Sequence, residues 1–296
     1  MSNSSAQPRI LLVSPEVIFL PNRLEHMTRY RATQSKRFND ELAGSIVDLY
    51  ELGADVHVVQ PDYRQIFAAT CSAKLGKKMK KIPAEQVHLT EDRVFFYSNY
   101  PDLNYKWEHT KISIAFQREV IHHIIPRVQP DLIHCYDWMT GLIPAVAKEL
   151  EIPCLFTVHK LDTTKSLLFF IEDMGIDAAA FWQDLFYDRY PANYEETRET
   201  NPVNFLLSGI LAAPVVTVAG FASLIRWKQN QLPFAKLPLS KLLTEKLNTG
   251  SASIHNTRAF NLNHYINTYN KMLQRPLFNT NMKKPKSHTM NERIAA

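Results

Sequence analysis

The sequence contains few glycines, and this scarcity excludes two common nucleotide-binding motifs. Its 296 residues include 8 glycines, whereas an average protein has about 7% glycine. The two nearest, Gly44 and Gly53, are nine residues apart. A G-x-G-x-x-G dinucleotide turn and a G-x-x-x-x-G-K phosphate loop both need closely spaced glycines. Any nucleotide site in this chain therefore needs a different phosphate cradle.

Cysteine is also scarce, and its pattern excludes two kinds of site. The three cysteines, Cys71, Cys135 and Cys154, have no metal-ligand spacing, and their number is odd. Disulfide frameworks use paired cysteines, so we expect neither a disulfide framework nor a metal site. The first residues, MSNSSAQPRI, lack the basic start and apolar run of a secretory signal. A reduced, cytoplasmic setting is expected.

Excess charge is confined to the C-terminal end. Residues 271–296 carry six Lys or Arg residues and one Glu, which accounts for the whole net charge of +5. A basic tail can contact nucleic acid or anionic lipid, or it can be a solvated terminus. No aromatic–basic RNA motif accompanies it, so we expect no nucleic-acid partner. Residues 277–296 are assigned to a basic tail and residues 1–8 to a disordered one.

One long uncharged run, residues 205–225, has the length of a membrane span. Pro214 divides it into a segment typical of a buried helix and a β-branched segment typical of a buried strand. Such segments are common inside parallel α/β domains. We therefore expect no membrane insertion.

Strand and helix patterns alternate over residues 9–229, which predicts a doubly wound α/β domain with a mostly parallel sheet. A local hairpin is expected between Val87–Leu89 and Val94–Tyr97. The sequence predicts buried strands at 9–13, 56–59, 132–135, 154–158 and 215–219, and helices at 35–52, 107–126, 138–150 and 202–212.

The composition changes after residue 229. Residues 230–258 are rich in Gln, Pro, Lys, Asn and Ser, which predicts a linker with at most a short helix near 239–247. Apolar side chains then recur at helical spacing over 262–273, with Asn261 as a candidate N-cap. This amphipathic helix needs an apolar surface on which to pack.

A candidate site lies where the predicted strands end. In doubly wound sheets, ligands bind beyond the carboxyl ends of the strands. Asp137 and His159 follow successive strands, so both are expected to point into one crevice. There a carboxylate and an imidazole can hold sugar hydroxyls, with Trp138 as a stacking face. Two alternatives stay open: Asp137 caps the helix that begins at Trp138, and a single histidine is often structural.

Several segments resemble the N-terminal domain of bacterial glycogen synthases and plant starch synthases. They are ILLVSPEV (10–17), GADVHVVQPDY (53–63), PDLIHCYDWMTGLIPAVAKE (130–149), IPCLFTVHKLD (152–162) and NPVNFLLSGILAAPVVTVAG (201–220). That family transfers glucose from ADP-glucose, or UDP-glucose in some members, to an α-1,4-glucan with retention of configuration. Its GT-B fold has two Rossmann-like domains facing a cleft. The resemblance implies the N-terminal, acceptor-side half of that fold over residues 9–229, with no cofactor besides the nucleotide-sugar donor.

The resemblance also assigns residues to the site. His159 matches a family histidine close to the transferred sugar, and Asp137 matches the aspartate of the family's Asp-Trp-His motif. Both become candidate catalytic residues, although they are not sufficient for activity. The set assigned to substrate binding is Glu16, Trp138 and Asn204. Three family residues differ here: Tyr136 and Met139 replace histidines, and Lys160 replaces an asparagine.

The family's glycine loop for the donor phosphate corresponds to residues 34–38, where its lysine and both glycines are absent. Lys36 and Arg37 add positive charge there but block close backbone approach to phosphate. They are therefore weak candidates for a phosphate contact, and a solvated helix start is the other interpretation.

The family's second domain carries the donor pocket and two glutamates eight residues apart, and no two glutamates of this sequence have that spacing. FNLNHYINTYNKMLQRPL (260–277) resembles the family's C-terminal helix, which packs back on the N-terminal domain; any amphipathic helix fits this pattern equally well. The resemblance thus implies that residues 230–258 replace the donor domain and that residues 259–276 return to the first domain. An inactive chain is expected, which binds α-glucan and pairs with a second glycosyltransferase-like chain or with itself through the bare cleft face.

The alternative is a non-catalytic glucan-binding or regulatory subunit that partners a full-length synthase. Its platform would be the aromatic-rich segment 181–194. Ordinary packing explains these aromatic residues equally and is the interpretation we favour.

Overall fold

The computed structural model describes most residues of the chain. They are residues 7–15, 35–62, 82–96, 106–159, 162–219, 238–255, 262–274 and 276. The strands are β1 (Arg9–Val13), β2 (Asp55–Pro61), β3 (Val87–Thr90), β4 (Leu132–Tyr136), β5 (Cys154–Val158), β6 (Lys165–Ser166), β7 (Val203–Asn204), β8 (Val215–Ala219) and β9 (Ala252–His255).

The helices lie mostly between these strands. They are α1 (Ser35–Glu51), α2 (Arg93–Phe96), α3 (Lys106–Glu119), α4 (Ile125–Val128), α5 (Ile143–Glu149), α6 (Leu168–Asp173), α7 (Tyr194–Thr200), α8 (Phe205–Ala212), α9 (Pro238–Asn248) and α10 (Leu262–Leu273). A π-helical turn, Val120–Ile124, joins α3 to α4. Single 3-10 turns follow, of which Trp138–Thr140 matters for the site.

Seven of the described strands form one sheet in the order β3-β2-β1-β4-β5-β8-β9. Each neighbouring pair in this sheet is parallel. Successive strands are added outward on one side and then, from β4, on the other. The order therefore reverses between β1 and β4, and such a reversal opens a crevice at the carboxyl ends of the strands. This confirms the predicted doubly wound, Rossmann-like fold.

Helices cover both faces of the sheet. Helices α3, α5, α8 and α9 pack on one face, against strand residues such as Val13, Ile133 and Phe156. Helices α1 and α10 pack on the other face, against residues such as Leu12 and Leu155. Because side chains alternate along a strand, a strand buried on both faces is mostly apolar, as LLV in β1 and CLF in β5 are.

The last described helix, α10, returns to the N-terminal part of the chain. Tyr265 and Tyr269 on α10 are buried in the same apolar cluster as Leu42 and Ile46 of α1. Leu262, Ile266, Met272 and Leu273 pack against that cluster. The amphipathic pattern of residues 262–273 thus has the apolar surface that it requires.

The expected hairpin was wrong. Val87–Thr90 pairs in parallel with β2, with Val58 opposite Val87, and residues 93–96 form α2 instead of a second strand. The alternating burial of Val87–Thr90 is that of any half-buried strand and does not specify its partner. The expected end of a helix at Pro126 was also wrong, because the π-helical turn Val120–Ile124 leads directly into α4, which continues to Val128.

Residues 230–258 were expected to form a linker with at most a short helix near 239–247, and that helix is present as α9, Pro238–Asn248. The strand β9, Ala252–His255, was not expected. Helix α9 buries Leu242 and Leu243 in the core, and β9 extends the sheet by pairing with β8. Gly250, with φ of 70°, ends the helix in the left-handed conformation that glycine adopts without strain. Residues 230–237 and 256–258 lie outside the described residues, and the division into domains remains a prediction.

The uncharged run divides as expected: residues 205–212 form α8 and residues 215–219 form β8. Residues 220–225 lie outside the described residues. No helix in the described ranges is long and apolar enough to cross a membrane. Both predicted tails, 1–8 and 277–296, lie outside them apart from residues 7 and 8.

Candidate functional site

Asp137 and His159 lie at the carboxyl ends of neighbouring strands. Asp137 directly follows β4 and His159 directly follows β5, and these strands are paired in register from Ile133 opposite Cys154 to Tyr136 opposite Thr157. The reversal of strand order lies beside β4. The topology therefore brings the two predicted residues to the crevice in which doubly wound sheets bind ligands.

The backbone of Asp137 is strained. Its φ of 60° and ψ of 177° lie in a region that is almost restricted to glycine and costs about 1–3 kcal/mol for other residues. Hydrogen bonds hold this conformation: the Asp137 N–H donates to the Thr157 carbonyl at 2.9 Å, and the Asp137 carbonyl accepts from the Thr140 N–H at 3.1 Å and from Thr140 Oγ1 at 2.9 Å. Strain that is retained in this way is typical of functional sites.

The Asp137 carboxylate contacts His159 twice. Its Oδ1 accepts a hydrogen bond of 2.6 Å from the His159 backbone N–H, and its Oδ2 lies 3.8 Å from His159 Nδ1. The two side chains are 8% and 17% exposed, respectively, so they border solvent without projecting into it. A carboxylate and an imidazole in this arrangement can accept from and donate to the hydroxyls of a sugar.

The structure tests the interpretation of Asp137 as a helix cap. Its side chain makes no capping hydrogen bond to the turn Trp138–Thr140. The carboxylate instead holds the residue after the next strand. The capping alternative is thus excluded.

Little of the Trp138 ring is available as the expected stacking face, and its assignment to substrate binding remains a prediction. Trp138 is 9% exposed and belongs to the core, with its ring 6.4 Å from that of Phe205. The turn after Asp137 packs tightly on the start of α8. At Gly141 a Cβ would lie 2.0 Å from the Phe205 carbonyl oxygen. This packing directs Trp138 inward.

Asn204 has a structural role at the start of α8. Its Oδ1 accepts a 2.9 Å hydrogen bond from the Leu207 N–H, which is the N-cap interaction that helix starts favour. Asn204 is 5% exposed. Its assignment to substrate binding remains a prediction.

The side chains of three predicted site residues lie outside the described part of the structure. Glu16 lies outside the described residues. Lys36 and Arg37 lie in the first turn of α1, and their side chains lie outside the description. The phosphate contact assigned to them therefore remains a prediction.

A buried polar cluster that the sequence did not predict lies beneath the site. His134, which is fully buried on β4, has Nδ1 at 2.6 Å from the Tyr269 hydroxyl and Nε2 at 2.7 Å from Thr157 Oγ1. The Tyr136 hydroxyl lies 3.1 Å from the same Nδ1. Burial, with smaller contributions from His159 and His264, lowers the pKa of His134 well below its usual value. Burial likewise raises the pKa values of Tyr136 and Tyr269, so all three groups are neutral. In the sequence, the signal that could have indicated this cluster was His134, a histidine within an otherwise apolar strand pattern.

The aromatic segment 181–194 packs mainly on the core. Phe181 and Tyr187 are buried, and Trp182, Phe186 and Tyr194 pack against the same cluster. Tyr190, at 95% exposure, is the exception. The interpretation as ordinary packing is therefore favoured over a platform.

Within the described ranges, no group of three or more His, Cys, Asp or Glu side chains is arranged to hold a metal ion. Cys135 and Cys154 are buried free thiols. Cys71 lies outside the described residues.

Comparisons with known proteins agree with this architecture. The chain is 27% identical over 153 residues to glycogen synthase of Geobacillus thermodenitrificans, which covers 41% of this chain and 30% of that protein. It is 30% identical over 178 residues to glycogen synthase of Moorella thermoacetica, which covers 52% of this chain and 33% of that protein. The chain thus spans about a third of the length of these curated relatives.

A solved structure has the same fold. The catalytic domain of starch synthase IV from Arabidopsis thaliana, bound to ADP and acarbose, matches with a TM-score of 0.52 at 14% identity. The match covers 85% of this chain and 52% of that one. The family model of the starch synthase catalytic domain matches residues 45–219, which is more than half of the chain. The chain therefore belongs to the glycogen and starch synthase family of GT-B glycosyltransferases.

Proposed function

We propose that this chain forms the acceptor-side half of an α-1,4-glucan glucosyltransferase, in which Asp137 and His159 contact sugar hydroxyls of the glucan. The observation that carries the proposal is the strained backbone of Asp137, held so that its carboxylate engages His159 at the reversal of strand order. Strain of about 1–3 kcal/mol is retained where a function requires it. Family membership supplies the class of substrate.

Under this proposal the chain by itself has no or negligible glucosyltransferase activity. Retaining transfer from a nucleotide sugar requires positive charge or oriented donors around the diphosphate leaving group. It also requires donor and acceptor to be held together in a closed cleft. Between β8 and α10, the described residues 238–255 extend the first sheet by a helix and a strand. We therefore propose that a second glycosyltransferase-like chain supplies the donor half, or that this chain associates with a second copy of itself through the bare cleft face.

Calorimetric titration of the purified chain tests the binding part of this proposal. We expect a maltooligosaccharide to bind and ADP-glucose not to bind. His159→Ala should abolish the heat of maltooligosaccharide binding, while His123→Ala, which removes a histidine whose side chain is 66% exposed, should leave it unchanged. Absence of maltooligosaccharide binding by the intact chain contradicts the proposal.

A glucan-elongation assay with labelled ADP-glucose tests the catalytic part. We expect no incorporation of label by the chain alone. ADP-glucose-dependent elongation that is lost in His159→Ala contradicts the expectation of an inactive half. Light scattering across a concentration series identifies a second copy of the chain as the partner, and a monomer at all concentrations excludes it.

A further inference from the structure

The returning helix α10 contacts the buried histidine that underlies the candidate site. Tyr269, which is fully buried, places its hydroxyl 2.6 Å from His134 Nδ1, although 135 residues separate the two in sequence. Tyr265, one helical turn earlier, places its ring 5.1 Å from the His134 ring. The helix thus supplies both a hydrogen bond and an aromatic wall to the centre of the sheet.

His134 is shared by two tyrosines. A neutral imidazole has one donor and one acceptor nitrogen, and the Nδ1 atom faces the hydroxyls of both Tyr269, at 2.6 Å, and Tyr136, at 3.1 Å. Because two phenol O–H groups converge on Nδ1, we assign it as the acceptor, so the ring proton lies on Nε2 and is donated to Thr157 Oγ1. An acceptor nitrogen has one lone pair. The closer hydroxyl, that of Tyr269, therefore occupies it, and Tyr136 is held in a secondary position.

Two routes connect this cluster to the Asp137–His159 pair. Thr157, held by His134 Nε2, offers its carbonyl to the Asp137 N–H at 2.9 Å, which fixes the strained turn. The ring of Tyr136 stacks near two imidazoles, 4.1 Å from the His134 ring and 5.9 Å from the His159 ring, with interplanar angles of 28° and 24°. A movement of the Tyr136 ring toward Nδ1 therefore changes the surface on which the His159 ring lies.

We propose that Tyr269 is a positioning residue for the glucan site, since its hydroxyl occupies His134 Nδ1 and thereby holds Tyr136 in the place that orients His159. This inference rests on the proposed use of Asp137 and His159 for glucan binding. Under this proposal, the site is ordered only when α10 packs against the sheet. A segment that is distant in sequence thus controls the acceptor crevice through three aromatic rings and one threonine.

NMR of the full chain with isotope-labelled histidine tests the positioning role in the absence of any ligand. In Tyr269→Phe the ring remains and the hydroxyl is lost, so Tyr136 becomes the phenol on Nδ1 and its ring moves. We expect the ring signals of both His134 and His159 to shift, while those of exposed His123 stay in place. Tyr265→Phe is the matched control because its hydroxyl lies 3.5 Å from Thr157 Oγ1, beyond the 2.5–3.0 Å of an ordinary O–H···O hydrogen bond, so Thr157 keeps its 2.7 Å contact with His134. It should leave the His159 signals unchanged.

Glucan binding gives the second readout. We expect Tyr269→Phe to weaken maltooligosaccharide binding roughly two- to tenfold, the range that corresponds to one hydrogen bond, and Tyr265→Phe to leave it within twofold. Unchanged His159 signals in Tyr269→Phe overturn the positioning role, as do equal shifts in both variants, because equal shifts indicate a general loss of packing. If the intact chain binds no maltooligosaccharide, the proposed function fails, and the ligand-free NMR comparison still decides whether Tyr269 orients His159.

Discussion

The contact between the Asp137 turn and α8 leads to a steric prediction at Gly141. A Cβ atom added to Gly141 would lie 2.0 Å from the Phe205 carbonyl oxygen, 2.6 Å from the Phe205 carbonyl carbon and 3.1 Å from the Trp138 carbonyl oxygen. All three are backbone atoms, so no side-chain rotation relieves the overlap. Gly141 has φ of −68°, which alanine adopts freely. The cost of Gly141→Ala is therefore purely steric.

The magnitude follows from two opposing contributions. Overpacking a filled interior costs about 1–3 kcal/mol, and the upper end applies because backbone must move. Replacing glycine restricts the unfolded chain and returns about 0.4–1 kcal/mol. We expect Gly141→Ala to lower the free energy of unfolding by about 2 kcal/mol. Gly44→Ala is the matched control because nothing lies within 4 Å of its Cβ position inside α1, and alanine there should stabilise the helix by about 1 kcal/mol.

Urea titrations of both variants measure the change in the free energy of unfolding. Maltooligosaccharide titrations show whether the site moves with the turn. The displaced turn begins directly after Asp137, so Gly141→Ala should also weaken glucan binding, whereas Gly44→Ala should not. If Gly141→Ala proves as stable as the unsubstituted chain, the described packing of the turn against α8 is wrong.

Three further predictions concern single groups. Asn204→Ala should lower the free energy of unfolding by about 2 kcal/mol, the upper end for an N-cap, because the Leu207 N–H that it satisfies is buried; a fall below about 0.5 kcal/mol in urea titrations contradicts the cap. Burial lowers the pKa of His88 to about 4, with smaller contributions from His57 and Arg127. Between pH 6.5 and about 4 the unfolded chain therefore binds a proton that the native chain does not. Stability should fall on acidification through that range, less steeply in His88→Gln, and equal slopes contradict the assignment. Cys135 and Cys154 should resist thiol reagents in the native state because both are buried and burial raises the pKa of Cys135; rapid labelling of either, located by mass spectrometry, contradicts their burial.

The parallel sheet was predictable from the sequence because its central strands are buried on both faces. Segments such as LLV in β1 and CLF in β5 are continuous apolar runs, which are typical of that environment. The edge strands were not predictable in the same way. Val87–Thr90 alternates like any half-buried strand, and Ala252–His255 is short and follows a polar, glycine-containing segment.

For the candidate site, too, some features were predictable from the sequence and others were not. That Asp137 and His159 meet follows from their positions after successive parallel strands, which is a rule of topology. The inward turn of Trp138 does not follow, because it depends on the φ of Asp137 and on the close approach of Gly141 to α8. The bond between His134 and Tyr269 joins β4 to a helix far along the chain, and sequence periodicity indicates burial without identifying such a partner.

NMR titration of the histidine-labelled chain with a maltooligosaccharide shows both whether glucan binds and where it binds. We expect a saturable shift of the His159 ring signals and no shift at His123. Binding should be at least about tenfold weaker in Asp137→Asn, because this variant retains a hydrogen-bond acceptor but loses the charge, and hydrogen bonds to charged groups are stronger. Saturable binding that leaves the His159 signals unchanged, or that is equally strong in Asp137→Asn, would contradict a glucan site at this pair.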